Sequence, residues 1–137
     1  MSKIFVLDAC ALIAILKNEK GADIVAATYN KAKTGEAQII MNRVNLLEVY
    51  YGYYRDDGKK YAEKIMDGVT QSIISIKEFD KTLFPEAGRL KASYKISLAD
   101  SIALAQALVT GGNFLTSDHH EFDSVEKHED IRFYWIR

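Results

Sequence analysis

The hydrophobic and polar positions of the chain form two kinds of segment. Short apolar runs are typical of strands that are buried on both faces of a parallel sheet. Longer segments with apolar residues at helical spacing separate these runs, as expected for parallel strands joined by right-handed crossovers. The pattern predicts strands at residues 4–7, 37–41, 72–76, 113–116 and 131–136, helices at 9–18, 22–32, 42–54, 61–69, 81–95 and 97–108, and a loop or short helix at 119–127.

The predicted helix at residues 42–54 carries a dense aromatic tract. Four residues at helical spacing are expected to form its core face: Val44, Leu47, Tyr51 and Tyr54. The side chains of residues 50–54 spread around the helix axis, so part of the tract is expected to be exposed. We expect that exposed part to form a protein interface rather than to stack on nucleic-acid bases.

Composition and charge narrow the class of protein. A chain of 137 residues, 48% of them hydrophobic, is expected to fold as a single domain over residues 1–137. Its net charge of −1 excludes a basic domain that holds nucleic acid by bulk electrostatics. Cys10 is the only cysteine, which favours a cytoplasmic protein without an intrachain disulfide. An early strand at 4–7 leaves no room for a signal peptide, and the apolar stretch 98–109 is too short and too polar to span a membrane.

Four acidic residues are expected near one edge of the predicted sheet. Asp8 ends the first strand, Glu48 lies early in the helix after the second strand, and Asp100 lies in the first turn of a later helix. Asp118 follows the fourth strand directly. Because the carboxyl ends of parallel strands share one edge and clustered carboxylates repel, a divalent cation is expected to neutralise them. Oxygen-only ligands favour Mg²⁺ or Mn²⁺ over zinc.

Each of these acids also has a purely structural interpretation. Asp8 and Asp118 are suitable caps for the helices that follow them. Two pairs resemble capping boxes: Ser97-x-x-Asp100 and Asn45-x-x-Glu48. Caps do not require convergence on one edge, so the set as a whole favours a site. Glu78 and Asp80 follow the third strand, and spacing alone leaves them open as members of the same cluster.

Four segments resemble the motifs of the PIN-domain nucleases, most closely the toxin of VapBC-type toxin–antitoxin pairs. In chain order they are Val6-Leu7-Asp8-Ala9-Cys10-Ala11-Leu12, Leu46-Leu47-Glu48-Val49, Ile96-Ser97-Leu98-Ala99-Asp100-Ser101-Ile102-Ala103-Leu104-Ala105 and Leu115-Thr116-Ser117-Asp118-His119-His120-Glu121-Phe122. The third and fourth segments are quite specific, and the resemblance covers nearly the whole chain. Cys10 departs from the family pattern, in which many members carry Ser or Thr near the first acid.

The resemblance implies an α/β, PIN-like three-layer fold. Its central parallel sheet of about five strands has the order 3-2-1-4-5 and is flanked by helices. That order places the third strand at an edge of the sheet and therefore argues against Glu78 and Asp80 as site residues.

The resemblance also implies a metal-dependent endoribonuclease that uses Mg²⁺, or alternatively Mn²⁺. Its catalytic and metal-binding acids map to Asp8, Glu48, Asp100 and Asp118. Asp8 and Asp100 are expected as the primary ligands, and Glu48 or Asp118 as the holder of coordinated waters or the general base. The hydroxyls of Thr116 and Ser117 are expected to support the site by orienting Asp118 or contacting phosphate.

The implied partners are an RNA substrate and a cognate antitoxin. We expect a homodimer through helical surfaces, and an antitoxin segment along an apolar groove of the early helices. The alternative to a homodimer is a monomer in which the tyrosines of residues 50–54 lie in the core.

Missing acidic residues disfavour two other functions of α/β proteins that carry an Asp after the first strand. A haloacid dehalogenase-type phosphatase needs a second acid two residues after Asp8, where Cys10 stands. A response-regulator receiver needs an Asp at the end of the third strand, which segment 76–78 lacks. A PIN nuclease in RNA processing that is not a toxin and a catalytically silent PIN-like binding scaffold stay as alternatives, although the complete acid set disfavours the scaffold.

Overall fold

The computed structural model describes residues 3–137 and contains one five-stranded sheet. Its strands are β1 (Lys3–Leu7), β2 (Ala37–Asn42), β3 (Ser75–Lys77), β4 (Asn113–Thr116) and β5 (Arg132–Trp135). All pairings are parallel, and the order is β3-β2-β1-β4-β5. The predicted fold class and strand order are therefore confirmed.

Helices cover both faces of this sheet. Within residues 3–137 they are α1 (Ala9–Leu16), α2 (Ala22–Lys33), α3 (Arg43–Asp57), α4 (Lys59–Thr70), α5 (Leu83–Ser93), α6 (Leu98–Thr110) and α7 (His119–His128). In this part of the chain, no helix combines the length and the apolar composition that crossing a membrane requires.

Strand β1 separates two hydrophobic cores because successive side chains of a strand point to opposite faces of the sheet. Phe5 and Leu7 pack in the core that is covered by α1 to α4. Val6 packs in the second core, which α5, α6 and α7 cover. Both faces of β1 are thus buried, which explains its uninterrupted apolar sequence.

The turn from α6 into β4 depends on two glycines. Gly111 ends α6 in the left-handed region, at φ +67°. A Cβ on Gly112 would lie 3.0 Å from Ile4 Cγ2 and 3.2 Å from the Ile4 carbonyl oxygen. The missing side chain lets β4 enter the sheet directly beside β1, so the carboxyl ends of these two strands become neighbours.

The third strand differs from its prediction. The apolar run predicts a strand from residue 72, but β3 begins at Ser75. The Ser72 hydroxyl donates to the Val69 carbonyl oxygen at 2.6 Å and accepts from Ile74 N at 3.2 Å. These bonds fold residues 72–74 into a turn and leave only a short edge strand.

The predicted core face of α3 is wrong for three of its four residues, since only Val44 packs against a core. Leu47, Tyr51 and Tyr54 are 54%, 52% and 47% exposed. The buried residues of the helix are Asn45, Leu46, Val49 and Tyr53. Helix α3 packs against α1, α4 and α6. The face that these contacts bury includes the polar residue Asn45 and lies on a different side of the helix from the predicted apolar row.

Candidate active site

Asp8 lies at the junction of β1 and α1, in the centre of the sheet edge. Its Oδ1 accepts a hydrogen bond from Ala11 N at 2.8 Å, so the carboxylate caps α1. Its Oδ2 accepts from the Thr116 hydroxyl at 2.5 Å. The side chain is buried, with 2% of the residue exposed. Capping and site membership therefore coexist in one carboxylate.

Asp100 and Asp118 are placed by two helix N-termini. Ser97 caps α6 by accepting from Asp100 N at 3.0 Å. Asp118 caps α7 by accepting from Glu121 N at 3.1 Å. The Thr116 hydroxyl accepts from Asp118 N at 3.1 Å. Ser117, predicted as a supporting residue, is half-buried next to Asp118.

Three carboxylates converge at this edge: Asp100, Asp118 and Glu121 each offer an oxygen, and these oxygens lie within 4.8 Å of one another. Glu121 was not predicted as a site residue. Its signal in the sequence is the spacing Asp118-x-x-Glu121, which puts a second acid in the first turn of α7. This all-oxygen donor set fits a hard divalent cation such as Mg²⁺.

Burial and mutual repulsion raise the pKa values of the central acids. The pKa of Asp8 rises to about 7, mainly because burial disfavours its charge. The hydrogen bonds from Thr116 and Ala11 lower this pKa, and repulsion from Asp100 and Asp118 raises it. The pKa of Asp100 rises to about 6 through burial, against the Ser97 contact and with repulsion from Glu48, Glu121 and Asp118. A cation would relieve this unfavourable concentration of charge.

Glu48 faces Asp100 from α3, and its position depends on Asn45. Burial raises the pKa of Glu48, and a side-chain hydrogen bond with Asn45 opposes the shift. Asn45 is fully buried and donates from Nδ2 to the Ala99 carbonyl oxygen of α6 at 3.0 Å, while its Oδ1 has no partner. The predicted Asn45-x-x-Glu48 capping box is wrong, because Asn42 caps α3 by accepting from Val44 N.

Other polar residues near this edge are engaged elsewhere. Glu78 pairs with Arg43 at 2.8 Å, and Asp80 accepts hydrogen bonds from Thr82 and Leu83 at the start of α5. Cys10 stands among the acids, and burial together with their charge raises the pKa of its thiol to about 12. The cluster of acids therefore excludes Glu78 and Asp80, and Cys10 is a neutral thiol beside it.

Comparison with known proteins adds a family and several structural relatives. The family described as PIN domain matches residues 5–128. No curated protein matches the sequence significantly. DNA-bound VapBC from Salmonella typhimurium has a TM-score of 0.78 at 18% identity, over 100% of both chains.

Two further structures are similar. VapBC-1 from nontypeable Haemophilus influenzae has a TM-score of 0.74 at 16% identity, over 97% of this chain and 98% of that chain. Mycobacterium tuberculosis VapC20, described as a sarcin–ricin loop cleaving toxin, has a TM-score of 0.58 at 17% identity, over 82% of this chain and 87% of that chain. At these identities the similarities establish the fold.

Proposed function

Because this chain belongs to the PIN-domain family, we propose that it is a metal-dependent endoribonuclease and the toxin of a toxin–antitoxin pair. It acts as a single domain in the cytoplasm. The observation that carries the proposal is the convergence of Asp100, Asp118 and Glu121 beside the buried carboxylate of Asp8. Such a concentration of acids is costly to maintain without a cation, so it is typical of a site rather than of a set of helix caps.

In the proposed site, Asp8, Asp100, Asp118 and Glu121 hold a divalent cation, Mg²⁺ or alternatively Mn²⁺. When bound, the cation lowers the pKa of a coordinated water and polarises the phosphate. Thr116 fixes the orientations of Asp8 and Asp118 through its hydroxyl. Glu48 lies beside Asp100 with a raised pKa, which suits it to accept a proton from the attacking water. Ser117 is the candidate contact to the phosphate.

An apolar recess supports the proposal of an antitoxin partner. It has a volume of about 390 Å³ and is lined mainly by residues of α1, α2 and α4, among them Leu12, Ile15, Val25, Tyr29 and Ile65. Apolar anchors of an amphipathic segment bind in recesses of this kind. A toxin–antitoxin complex from Klebsiella pneumoniae contains a chain of similar fold. We propose that the C-terminal segment of a small antitoxin lies along this recess.

The exposed row of α3 supports a homodimer. Leu47, Tyr51 and Tyr54 lie at helical spacing and are each about half exposed. Contiguous apolar side chains on a surface helix are typical of an interface between proteins. Sedimentation of the purified protein tests this: dissociation of a dimer by Tyr51→Glu supports it, and a strictly monomeric wild-type protein contradicts it.

Cleavage of RNA by purified protein tests the central proposal. We expect cleavage with Mg²⁺, no cleavage in EDTA, and none by the Asp8→Asn or Asp100→Asn variants, each of which must first be shown to fold. Undiminished cleavage by the Asp8→Asn Asp100→Asn double variant contradicts the metal mechanism. Mapping of cleavage sites in cellular RNA after induction, with Asp8→Asn as the control, then identifies the target.

A further inference from the structure

Two phenylalanine rings stand exposed where the chain passes from β3 into the first turn of α5. Phe79 is 40% exposed and Phe84 is 69% exposed. Their ring centroids lie 6.3 Å apart, and the ring planes are inclined by 50°. With Asp80 and Lys81 the rings line an open recess of about 430 Å³. This volume falls within the range of small-ligand sites, and two exposed aromatic faces in one recess are suited to stacking on a planar group.

The recess lies at the same edge of the sheet as the cluster of acids. β3 runs parallel to β2, and β2 runs parallel to β1, so the carboxyl ends of all three strands share this edge. Phe79 follows the end of β3 as Asp8 follows the end of β1. Two strand spacings separate these ends, which is roughly 10 Å. A nucleic-acid strand that places a phosphate at the acids and runs along this edge toward β3 would reach the two rings.

The charged groups around the recess favour an anionic ligand that also has a planar group. Both acids of the segment are engaged within the protein: Glu78 pairs with Arg43, and Asp80 Oδ1 accepts hydrogen bonds from Thr82 and Leu83. Lys81 lines the recess and Lys77 ends β3 two residues before Phe79. Both lysines are exposed, and within residues 3–137 no ion pair involves either of them. Free ammonium groups beside exposed aromatic rings are typical of surfaces that bind single-stranded nucleic acid.

We propose that Phe79 and Phe84 form a stacking subsite for an unpaired base of single-stranded RNA, next to the phosphodiester that the acids address. The lysines contact the phosphates that flank this base. The inference rests on the proposed ribonuclease function and adds to it a contact with one base beside the cleaved phosphodiester. A second copy of the chain is the competing occupant, because exposed rings also suit a protein interface.

Binding of a labelled single-stranded RNA oligonucleotide in EDTA tests the subsite without cleavage. Replacement of a stacked aromatic residue typically costs enough stacking energy to weaken binding about tenfold. We therefore expect a rise of that size in Kd for Phe84→Leu and for Phe79→Leu, and a Kd within about twofold of wild type for Phe84→Tyr. Val109→Leu, at an exposed apolar position near the end of α6, is the matched control and should leave the Kd unchanged.

The choice of leucine separates stacking from simple apolar contact, since leucine keeps the apolar surface and removes the ring. An unchanged Kd in the Phe84→Leu variant overturns the proposal. So does a change in sedimentation coefficient of the RNA-free Phe84→Leu variant, which would assign the rings to contact with a second copy.

The proposed function can fail independently of this subsite. A wild-type protein that binds single-stranded RNA but does not cleave it with Mg²⁺ contradicts the ribonuclease, while the binding series in EDTA still decides the subsite. A wild-type protein that cleaves RNA, together with unchanged binding in both leucine variants, contradicts the subsite alone. A wild-type protein that binds no single-stranded RNA in EDTA overturns the subsite, and cleavage with Mg²⁺ then decides the ribonuclease separately.

Discussion

The hydroxyl of Thr116 donates a 2.5 Å hydrogen bond to the carboxylate of Asp8, across 108 residues of sequence. The same hydroxyl oxygen accepts a hydrogen bond from Asp118 N at 3.1 Å. One buried side chain at the end of β4 thus holds the acid that ends β1 and the acid that begins α7. The relative position of Asp8 and Asp118 in the candidate site therefore depends on Thr116.

The substitution Thr116→Val tests this role because valine keeps the shape and removes the hydroxyl. Without the donated bond, the pKa of Asp8 should rise further, since the Thr116 contact lowers it. We expect a loss of about 1–3 kcal/mol of stability, from two buried groups left unpaired, and a loss of cleavage of at least about tenfold. Thr116→Ser should keep both properties close to wild type. Cleavage by Thr116→Val at the wild-type rate contradicts the role.

Glu121 belongs to the observed cluster of acids but not to the predicted set. Its substitution therefore tests whether the observed cluster binds the metal. The substitution Glu121→Gln removes one of the three converging carboxylates and should weaken Mn²⁺ binding, measured by calorimetry, by about tenfold or more. Asp118→Asn and Glu48→Gln should weaken cleavage too. Asp130→Asn, an exposed acid beyond α7, is the matched control and should leave Mn²⁺ affinity unchanged. Equal affinities for wild type and Glu121→Gln exclude Glu121 from the site.

The stability of the metal-free protein should fall as the pH rises from 5 to 8. Asp8 has an ordinary pKa of 3.8 and a native pKa of about 7, so across this interval the native state binds more protons than the unfolded state. Stability decreases with pH wherever that holds. The raised pKa of Asp100, about 6, acts in the same direction. Thermal unfolding in EDTA should therefore give a lower Tm at pH 8 than at pH 5, and Mg²⁺ should recover part of the difference.

The control for this pH dependence is Asp8→Asn, in which the difference in Tm between pH 5 and pH 8 should shrink. His119 has a raised pKa through its contacts with Arg137 and Asp123, and it also loses stabilising charge as the pH rises. The Asp8→Asn variant keeps that contribution and so isolates the carboxylate. A Tm that increases between pH 5 and pH 8 in EDTA contradicts the burial of ionisable acids at the site.

Asn45 should affect the chemistry as well as the stability. Asn42, the last residue of β2 and the cap of α3, and Asn45 of α3 both contact α6. Asn42 donates to Gln106 at 3.1 Å, and Asn45 donates to the Ala99 carbonyl oxygen at 3.0 Å. Only Asn45 also contacts Glu48. We expect Asn42→Ala and Asn45→Ala to lose similar stability, about 1–3 kcal/mol each. Only Asn45→Ala should lower kcat beyond what its loss of folded protein explains.

A double-mutant cycle completes the Asn45 test. In a Glu48→Gln background, Asn45→Ala should have little further effect on kcat, because the residue it positions is already altered. Additive effects of the two substitutions on kcat indicate that Asn45 does not act through Glu48.

Leu16 provides a test of the antitoxin recess. It is 37% exposed and lines the apolar recess formed by α1, α2 and α4. The substitution Leu16→Glu places a charge on this surface, so it should prevent co-purification with the product of the adjacent reading frame and leave RNA cleavage intact. Val109→Glu is the control at a distant exposed position. Retained co-purification in the Leu16→Glu variant contradicts binding at the recess.

The sequence predicts most of the sheet because its strands are buried on both faces. Residues 113–116 match β4 at both ends, and the strand order follows from the family resemblance. The edge strand β3 is less well predicted, because an isolated apolar run does not reveal that Ser72 closes a turn inside it. The rule that parallel strands share one carboxyl edge accounts for the proximity of the four predicted acids, and their role in a site stays a prediction.

What the sequence does not reveal depends on contacts between helices. The apolar row of α3 faces outward, and the buried amide of Asn45 replaces it at the contact with α6. A prediction from periodicity takes the most apolar face of a helix as the buried one. In α3 the opposite holds, because Asn45 lies at the contact with α6 and the apolar row is exposed. The sequence does not distinguish Glu121 as a site residue, because an acid three residues after a cap is ordinary at a helix start.

The pairing of β1 with β4 has a consequence for the timing of synthesis. Asp8 is translated before the residues that complete its surroundings, which come more than a hundred codons later. A nascent chain that ends before β4 has neither Thr116 nor the two acids of α7, so it has no complete site. A ribosome making this chain is therefore not exposed to the proposed nuclease until the codons for α7 have been read.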